Sequence, residues 1–136
     1  VRVQTISTEY VSQVWPNVVR YISSALKYSS GDYTAEQTKV YLSLGMWHMI
    51  VAINEADKIQ GVTVVQYVNR PNDRVAFIIA IGGKLISDPD TWNNFTDLVR
   101  ANGATKVEGA ARKAIARLWA LKFNFTEKYR IVEVSL

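Results

Sequence analysis

Seven consecutive apolar residues, VAFIIAI at 75–81, constrain this chain more than any other feature. A stretch so rich in β-branched residues and so free of charge has to be covered by neighbours, which makes it the central strand of a sheet. Its ends are marked. Arg70-Pro71-Asn72-Asp73 supplies the turn residues of a hairpin before it, and Gly82-Gly83 ends it. Residues 62–68 form the strand on the other arm of that hairpin. Residues 47–53 give another strand, with Trp47, Met49, Val51 and Ile53 on one face and His48, Ile50 and Ala52 on the other. Both faces are mostly apolar, so it too is interior. Asn54-Glu55-Ala56-Asp57-Lys58 is the polar turn that joins it to the next strand.

Helical spacing fills the space between the strands. Residues 1–7 alternate as a first strand, and Thr8 is an N-cap with Glu9 in the first turn. Val11, Val14, Trp15, Val18, Ile22, Ala25 and Leu26 then mark one long amphipathic helix, which Pro16 should kink or divide. Ser29-Ser30-Gly31-Asp32 is a loop. Thr34 and Gln37 have the spacing of a capping box, so a second helix starts at Ala35, buries Val40, Tyr41 and Leu44, and stops at Gly45. Asp88-Pro89 opens a third helix with the stripe Trp92, Phe95, Leu98 and Val99, stopped by Asn102-Gly103. Residues 107–110 are a short strand of small residues. Ala111, Ala114, Ile115, Leu118 and Leu121 line a fourth helix, and residues 125–134 close the chain as a strand. The order is β–α–α–β–β–β–α–β–α–β: an α/β (α+β) domain with a mixed sheet and helices packed on its faces.

At 136 residues the chain is expected to be one domain, residues 1–136. It has no cysteine, which excludes disulfides and thiolate chemistry, and its single histidine, His48, argues against a zinc site. No apolar run approaches the roughly 20 residues of a membrane span. The alternating N-terminal residues do not resemble a signal-peptide core, so the expected location is intracellular or within a virion. The net charge of +4 is concentrated late. From Lys106 onward seven basic residues face three acidic ones, and residues 1–105 sum to zero. A basic helix of this kind is either a solvated face or a docking surface for an anionic partner.

The element order resembles that of the GNAT (N-acetyltransferase) superfamily across nearly the whole chain. The pattern Arg112-x-x-x-x-Arg117-Leu118-Trp119-x-x-x-Phe123 is similar to the final helix of that family. With Trp15-Pro16 in the first helix and a polar turn before the central strand, the chain most resembles the short GNAT-like proteins of tailed bacteriophages. The resemblance implies acyl-CoA chemistry at three places, and each place departs from the family pattern.

The cofactor loop corresponds to residues 82–90. Gly82, Gly83 and Lys84 are the candidates to contact a phosphate of acetyl-CoA, but Asp88 and Asp90 at the helix start repel it and Pro89 removes a donor. The glycine pair alone reads more simply as a strand-ending turn. The family's general base, a glutamate on the central strand, has no counterpart in VAFIIAI, and Glu55 and Asp57 lie in a solvated turn. Its general acid, a tyrosine on the last helix, is replaced by Trp119, whose indole donates a hydrogen bond but yields no proton at useful pH. Trp119 is expected to stand exposed in place of the cofactor, the other tryptophans to anchor the core, Tyr129 to lie on a strand, and His48 to be structural.

The expectation is therefore a non-catalytic GNAT-like protein without catalytic residues, cofactor or metal, serving as a structural or assembly component of a bacteriophage particle. Its partners would be phage structural proteins or another protein surface. The alternative is a divergent acyl-CoA-dependent N-acetyltransferase. A third reading is binding of an anion or nucleic acid through Arg112, Lys113, Arg117 and Lys122 on the last helix.

Overall fold

A computed structural model describes every residue except Ser29, Ser30 and Ser87, and of Ile86 it describes the backbone alone. The expected loop at 29–32 and the stretch 82–90 therefore fall partly outside the described residues. The elements are β1 (Arg2–Ile6), α1 (Val11–Leu26), α2 (Ala35–Ser43), β2 (His48–Ile53), β3 (Ile59–Asn69), β4 (Arg74–Gly83), α3 (Pro89–Ala101), β5 (Lys106–Gly109) and α4 (Lys113–Phe123). Two short 3-10 turns, Thr8–Tyr10 and Lys84–Ile86, precede α1 and α3.

The five strands lie in the order β1-β2-β3-β4-β5. The first four pair antiparallel, each with its sequence neighbour, and β5 pairs parallel to β4. The reversal follows from the connection. Hairpins join β2 to β3 and β3 to β4, α1 and α2 carry the chain from β1 to β2, and α3 carries it from the end of β4 back to the start of β5. Alternation sorts the core onto two faces. On one, Ile50, Ala52, Val65, Ala76 and Ile78 pack with Trp92, Phe95 and Val99 of α3 and Trp119 of α4. On the other, Met49, Val51, Val62, Val64 and Ala80 pack with Val11, Val18 and Ile22 of α1 and Leu42 of α2. A sheet covered on both faces is why β2 and β4 are apolar throughout.

The expected capping box is present: the Gln37 N–H donates to Thr34 Oγ1 at 3.1 Å and the Thr34 N–H to Gln37 Oε1 at 2.9 Å. Gly45 follows α2 in the left-handed region, φ +76°, which its lack of a Cβ permits. Four details differ from expectation. Thr8 is not a cap but the first residue of a 3-10 turn, with the Tyr10 N–H bonded to the Ser7 carbonyl. α1 runs unbroken through Pro16, which lies on its exposed side. The buried residues of α2 are Thr38 and Leu42, one turn apart, and Val40 and Leu44 are exposed.

The largest difference is at the end. Residues 124–136 form no strand. Only Phe125 inserts, against Trp92 and Trp119. Beyond it, charged and apolar residues alternate with no neighbour to cover the apolar ones, and Ile131, Val132, Val134 and Leu136 are exposed. Strand propensity without a ladder to join leaves the backbone in solvent. Phe95→Ala in the core is expected to lower unfolding free energy by about 3–5 kcal/mol in urea titrations. Val132→Ser in the tail should change it by less than about 0.5 kcal/mol.

Candidate functional site

Between β4 and β5 the pairing is short. Val75 faces Lys106, and the last pair is Ile78 with Gly109. β4 then runs on through Gly83 while β5 ends, so residues 79–83 have no strand partner on that side. β4 also carries a bulge. Val65 pairs with Ile78 and Val64 with Ala80, which leaves Ile79 as the extra residue. The parting of the two strands opens a cleft of about 310 Å³. Residues 78–83 form its floor. Tyr21, Ser24, Ala25 and Tyr28 from the end of α1 form one wall, and Ala110, Ala111, Arg112, Ile115 and Trp119 form the other.

Trp119 sets the second wall. It is 3% exposed, contrary to the expectation of an exposed ring. A Cβ on Gly109 would lie 3.2 Å from its benzo edge and 3.4 Å from Ile78 Cβ, so glycine lets the indole lie close over the end of β5 without displacing it. Its other neighbour is Phe125, with ring centroids 4.9 Å apart. Trp119 Nε1 is buried without a hydrogen-bond partner among the described residues. Of the remaining tryptophans, Trp47 and Trp92 are buried and Trp15 is half-buried.

The candidate cofactor residues separate. Gly82 and Gly83 line the cleft, whereas Lys84 is exposed beside Val1, Asn54 and Gln60 in a different depression. Both glycines have structural reasons to be glycine. A Cβ on Gly82 would stand 3.3 Å from Tyr21 Cβ, where α1 crosses β4. Gly83 has φ +69°, and its Cβ would lie 2.3 Å from the Gln60 carbonyl oxygen. The start of α3 is occupied from within. The Asp88 N–H donates to the Lys84 carbonyl and the Trp92 N–H to the Asp88 carbonyl. The Thr91 N–H and hydroxyl both donate to the Asp88 carboxylate, and Pro89 has no N–H. Those bonds, the hydroxyl's first, hold the Asp88 carboxyl below its ordinary range.

Arg112 is the N-cap residue of α4, without a side-chain capping bond, and its guanidinium lies 3.9 Å from the centre of the Tyr28 ring. The two meet across the cleft. Lys113, Arg117 and Lys122 lie along the exposed part of α4. His48 is outside the cleft, half-buried on the α3 face of the sheet, 5.2 Å from the Tyr67 ring. Burial and then the nearby Arg74 charge lower its pKa. Glu55 and Asp57 are exposed, with Asp57 paired to Arg2 at 2.8 Å. Tyr129 is exposed in the tail and not on a strand. Glu108 on β5 is held by Arg70 at 2.7 Å and Lys128 at 3.2 Å, and the Arg70 hydrogen bond is the first cause of its lowered pKa. Among the described residues no group of three or more potential ligands is placed to hold a metal, and no helix is long and apolar enough to cross a membrane.

No protein-family model and no curated protein matches the chain. Solved structures do. A probable acetyltransferase superposes with a TM-score of 0.69 at 10% identity, covering 100% of this chain and 97% of the other. An aminoglycoside acetyltransferase from an uncultured soil metagenomic sample, in complex with sisomicin, gives 0.68 at 13% identity over 99% and 95%. A predicted acetyltransferase from Clostridium acetobutylicum, solved with acetyl-CoA, gives 0.65 at 13% over 98% and 95%. The chain has the GNAT fold. The expected role as a non-catalytic component of a phage particle is corrected by these likenesses: the fold is shared with proteins named acetyltransferases, and acyl transfer agrees with them better.

Gly83→Ala should lower unfolding free energy by at least about 2 kcal/mol in urea titrations, since it adds left-handed strain to a backbone clash. A loss of function there would report the fold and not a cofactor contact. Glu108 has a folded pKa below its ordinary value, so the folded state binds its proton more weakly than the unfolded chain does. The stability it contributes is present above about pH 4.5 and is lost as pH falls through the lowered folded value. Glu108→Gln should accordingly flatten the fall of Tm on acidification below pH 4.5.

Proposed function

We propose that this chain is a divergent N-acyltransferase that takes its acyl group from a thioester such as acetyl-CoA, with the β4–β5 cleft as the donor site. The parting of β4 from β5 after the Ile78–Gly109 pair carries the reading. It leaves one backbone edge of residues 79–83 unpaired by any strand inside an apolar cleft. A pantetheine arm is a slender chain interrupted by amides, and such an edge can pair those amides as another strand would. The arm therefore fits. The phosphate end of the donor does not fit the start of α3, where the Asp88, Thr91 and Trp92 N–H groups are spent on Lys84 and Asp88 and the Asp88 and Asp90 carboxylates repel it. The likeness to a structure solved with acetyl-CoA supports the choice of donor.

The thioester, when bound, supplies an acyl group already activated for transfer to an amine. The chain contributes position and environment. The bulge at Ile79 frees a backbone unit from the β3 ladder on the cleft floor, a dipole able to polarise a carbonyl there. Ile81, Ile115 and Trp119 keep the floor and wall dry. The lining contains neither a carboxylate nor an imidazole. Among the described residues its hydroxyls are Tyr21, Ser24 and Tyr28, and Tyr21 already accepts a hydrogen bond from Arg20 at 3.1 Å. The amine must thus arrive neutral and release its proton to water.

Release of free thiol from acetyl-CoA should depend on an added primary amine. Its pH profile should rise with the neutral fraction of that amine, moving along the pH axis when the amine's pKa is changed. A profile that stays fixed while the amine's pKa changes would show a protein base at work. Absence of both thiol release and acetyl-CoA binding would remove the reading.

A further inference from the structure

Resting on the acyl-thioester reading, we propose that the donor's phosphates are held by Arg112 at the start of α4, across the cleft from Tyr28, and not by the start of α3. The two helix starts near the cleft differ in what they offer an anion. At α3 the Thr91 N–H and hydroxyl are taken by the Asp88 carboxylate, Pro89 has no N–H, and Asp90 adds a second negative charge. A phosphate placed there meets two carboxylates and has to displace an existing cap.

The start of α4 is the reverse. Arg112 makes no side-chain capping bond, and the first turn of α4 contains no acidic residue. Arg112 is the only charged residue among those lining the cleft, and it enters none of the described ion pairs. Its guanidinium is stacked on Tyr28, 3.9 Å from the ring centre, which holds the planar group in place without using its N–H donors. A guanidinium oriented by an aromatic ring and unspent on a carboxylate is suited to two-pronged recognition of a phosphate. Lys113 and Arg117, exposed on the same helix, add positive potential at that end. Arg112 and Tyr28 are both exposed, so the group sits at the solvent edge of the cleft, where the phosphate-bearing end of a donor would emerge.

Calorimetric titration with two donors separates this inference from the reading it rests on. S-acetylpantetheine carries the arm without phosphates, and acetyl-CoA carries both. The wild-type chain should bind acetyl-CoA more tightly. Arg112→Ala should weaken acetyl-CoA binding by at least about tenfold, leave S-acetylpantetheine binding unchanged, and reduce the salt dependence of acetyl-CoA affinity. Arg112→Lys should recover part of the loss. Asp88→Asn keeps a cap at α3 while removing its charge, and should change acetyl-CoA affinity by less than about twofold. Thermal unfolding of each variant checks that Arg112, an exposed residue, is not required for folding. If Arg112→Ala binds acetyl-CoA as the wild type does, or Asp88→Asn tightens it tenfold or more, the proposal is overturned while the acyl-thioester reading stands. If neither donor binds the wild-type chain, both are lost.

Discussion

The contact between Trp119 and Gly109 holds the rest of the cleft in place. Trp119 is the one buried residue of α4, so the position of the whole helix depends on where that indole is seated. It is seated over the final residue of β5, so close that a Cβ on Gly109 would press the ring or Ile78 back by a few tenths of an ångström. The helix thereby closes over the point where β5 stops. β4, which has four more antiparallel partners to satisfy on β3, continues alone. A short parallel pairing beside a long antiparallel one is the whole origin of the opening, and no loop has to move to create it. The same indole also packs against Phe125, the residue from which the tail continues.

Charge is then distributed unevenly around the opening. The Asp88 carboxylate at the start of α3 is held by its own helix, and the guanidinium at the start of α4 is held by a ring. Hydrogen bonding fixes the first group and leaves it nothing to offer, whereas stacking fixes the second and leaves its donors available. The two helices reach the same region of the molecule with opposite polarity. The Arg70–Glu108–Lys128 cluster belongs to neither. It ties the β3–β4 hairpin, β5 and the tail together by ion pairs at the strand next to the cleft.

Local chemistry made much of this legible in the sequence. The capping box at Thr34 and Gln37 and the Asp88 cap with Pro89 behind it rest on interactions within a few residues, and both are present. VAFIIAI is flanked by a strand on each side, as its composition requires, but it lies next to the edge strand β5 and β3 is the middle of the sheet. The two short turns that join β2 to β3 and β3 to β4 were legible for the same reason. What failed depended on partners that no local pattern names. Val40 and Leu44 mark an apolar stripe on α2, yet the sheet meets Thr38 and Leu42. Residues 125–134 have the composition of a strand and lack a ladder to join. Trp119 was expected in solvent because a cofactor was thought to be missing, but Gly109 makes room for it in the core. At the cleft, residues 82–84 suggested one phosphate loop, and the chain divides them between two separate depressions. Tyr28 gave no signal at all, since its meaning comes from an arginine 84 positions away.

The bulge at Ile79 has a bearing on why VAFIIAI is apolar without interruption. Before it, Ala76 and Ile78 point toward α3 and α4; after it, Ile81 does, while Ala80 points toward α1. Odd and even positions exchange their destinations in the middle of one strand. An alternating code cannot be written across such a change of phase, because no single parity is outward along the full length. A run apolar at every position tolerates the exchange, whichever face each residue meets. The feature that makes this segment recognisable as a strand is thus also the one that hides its irregularity, and the peptide unit set out of step lies on the floor of the cleft.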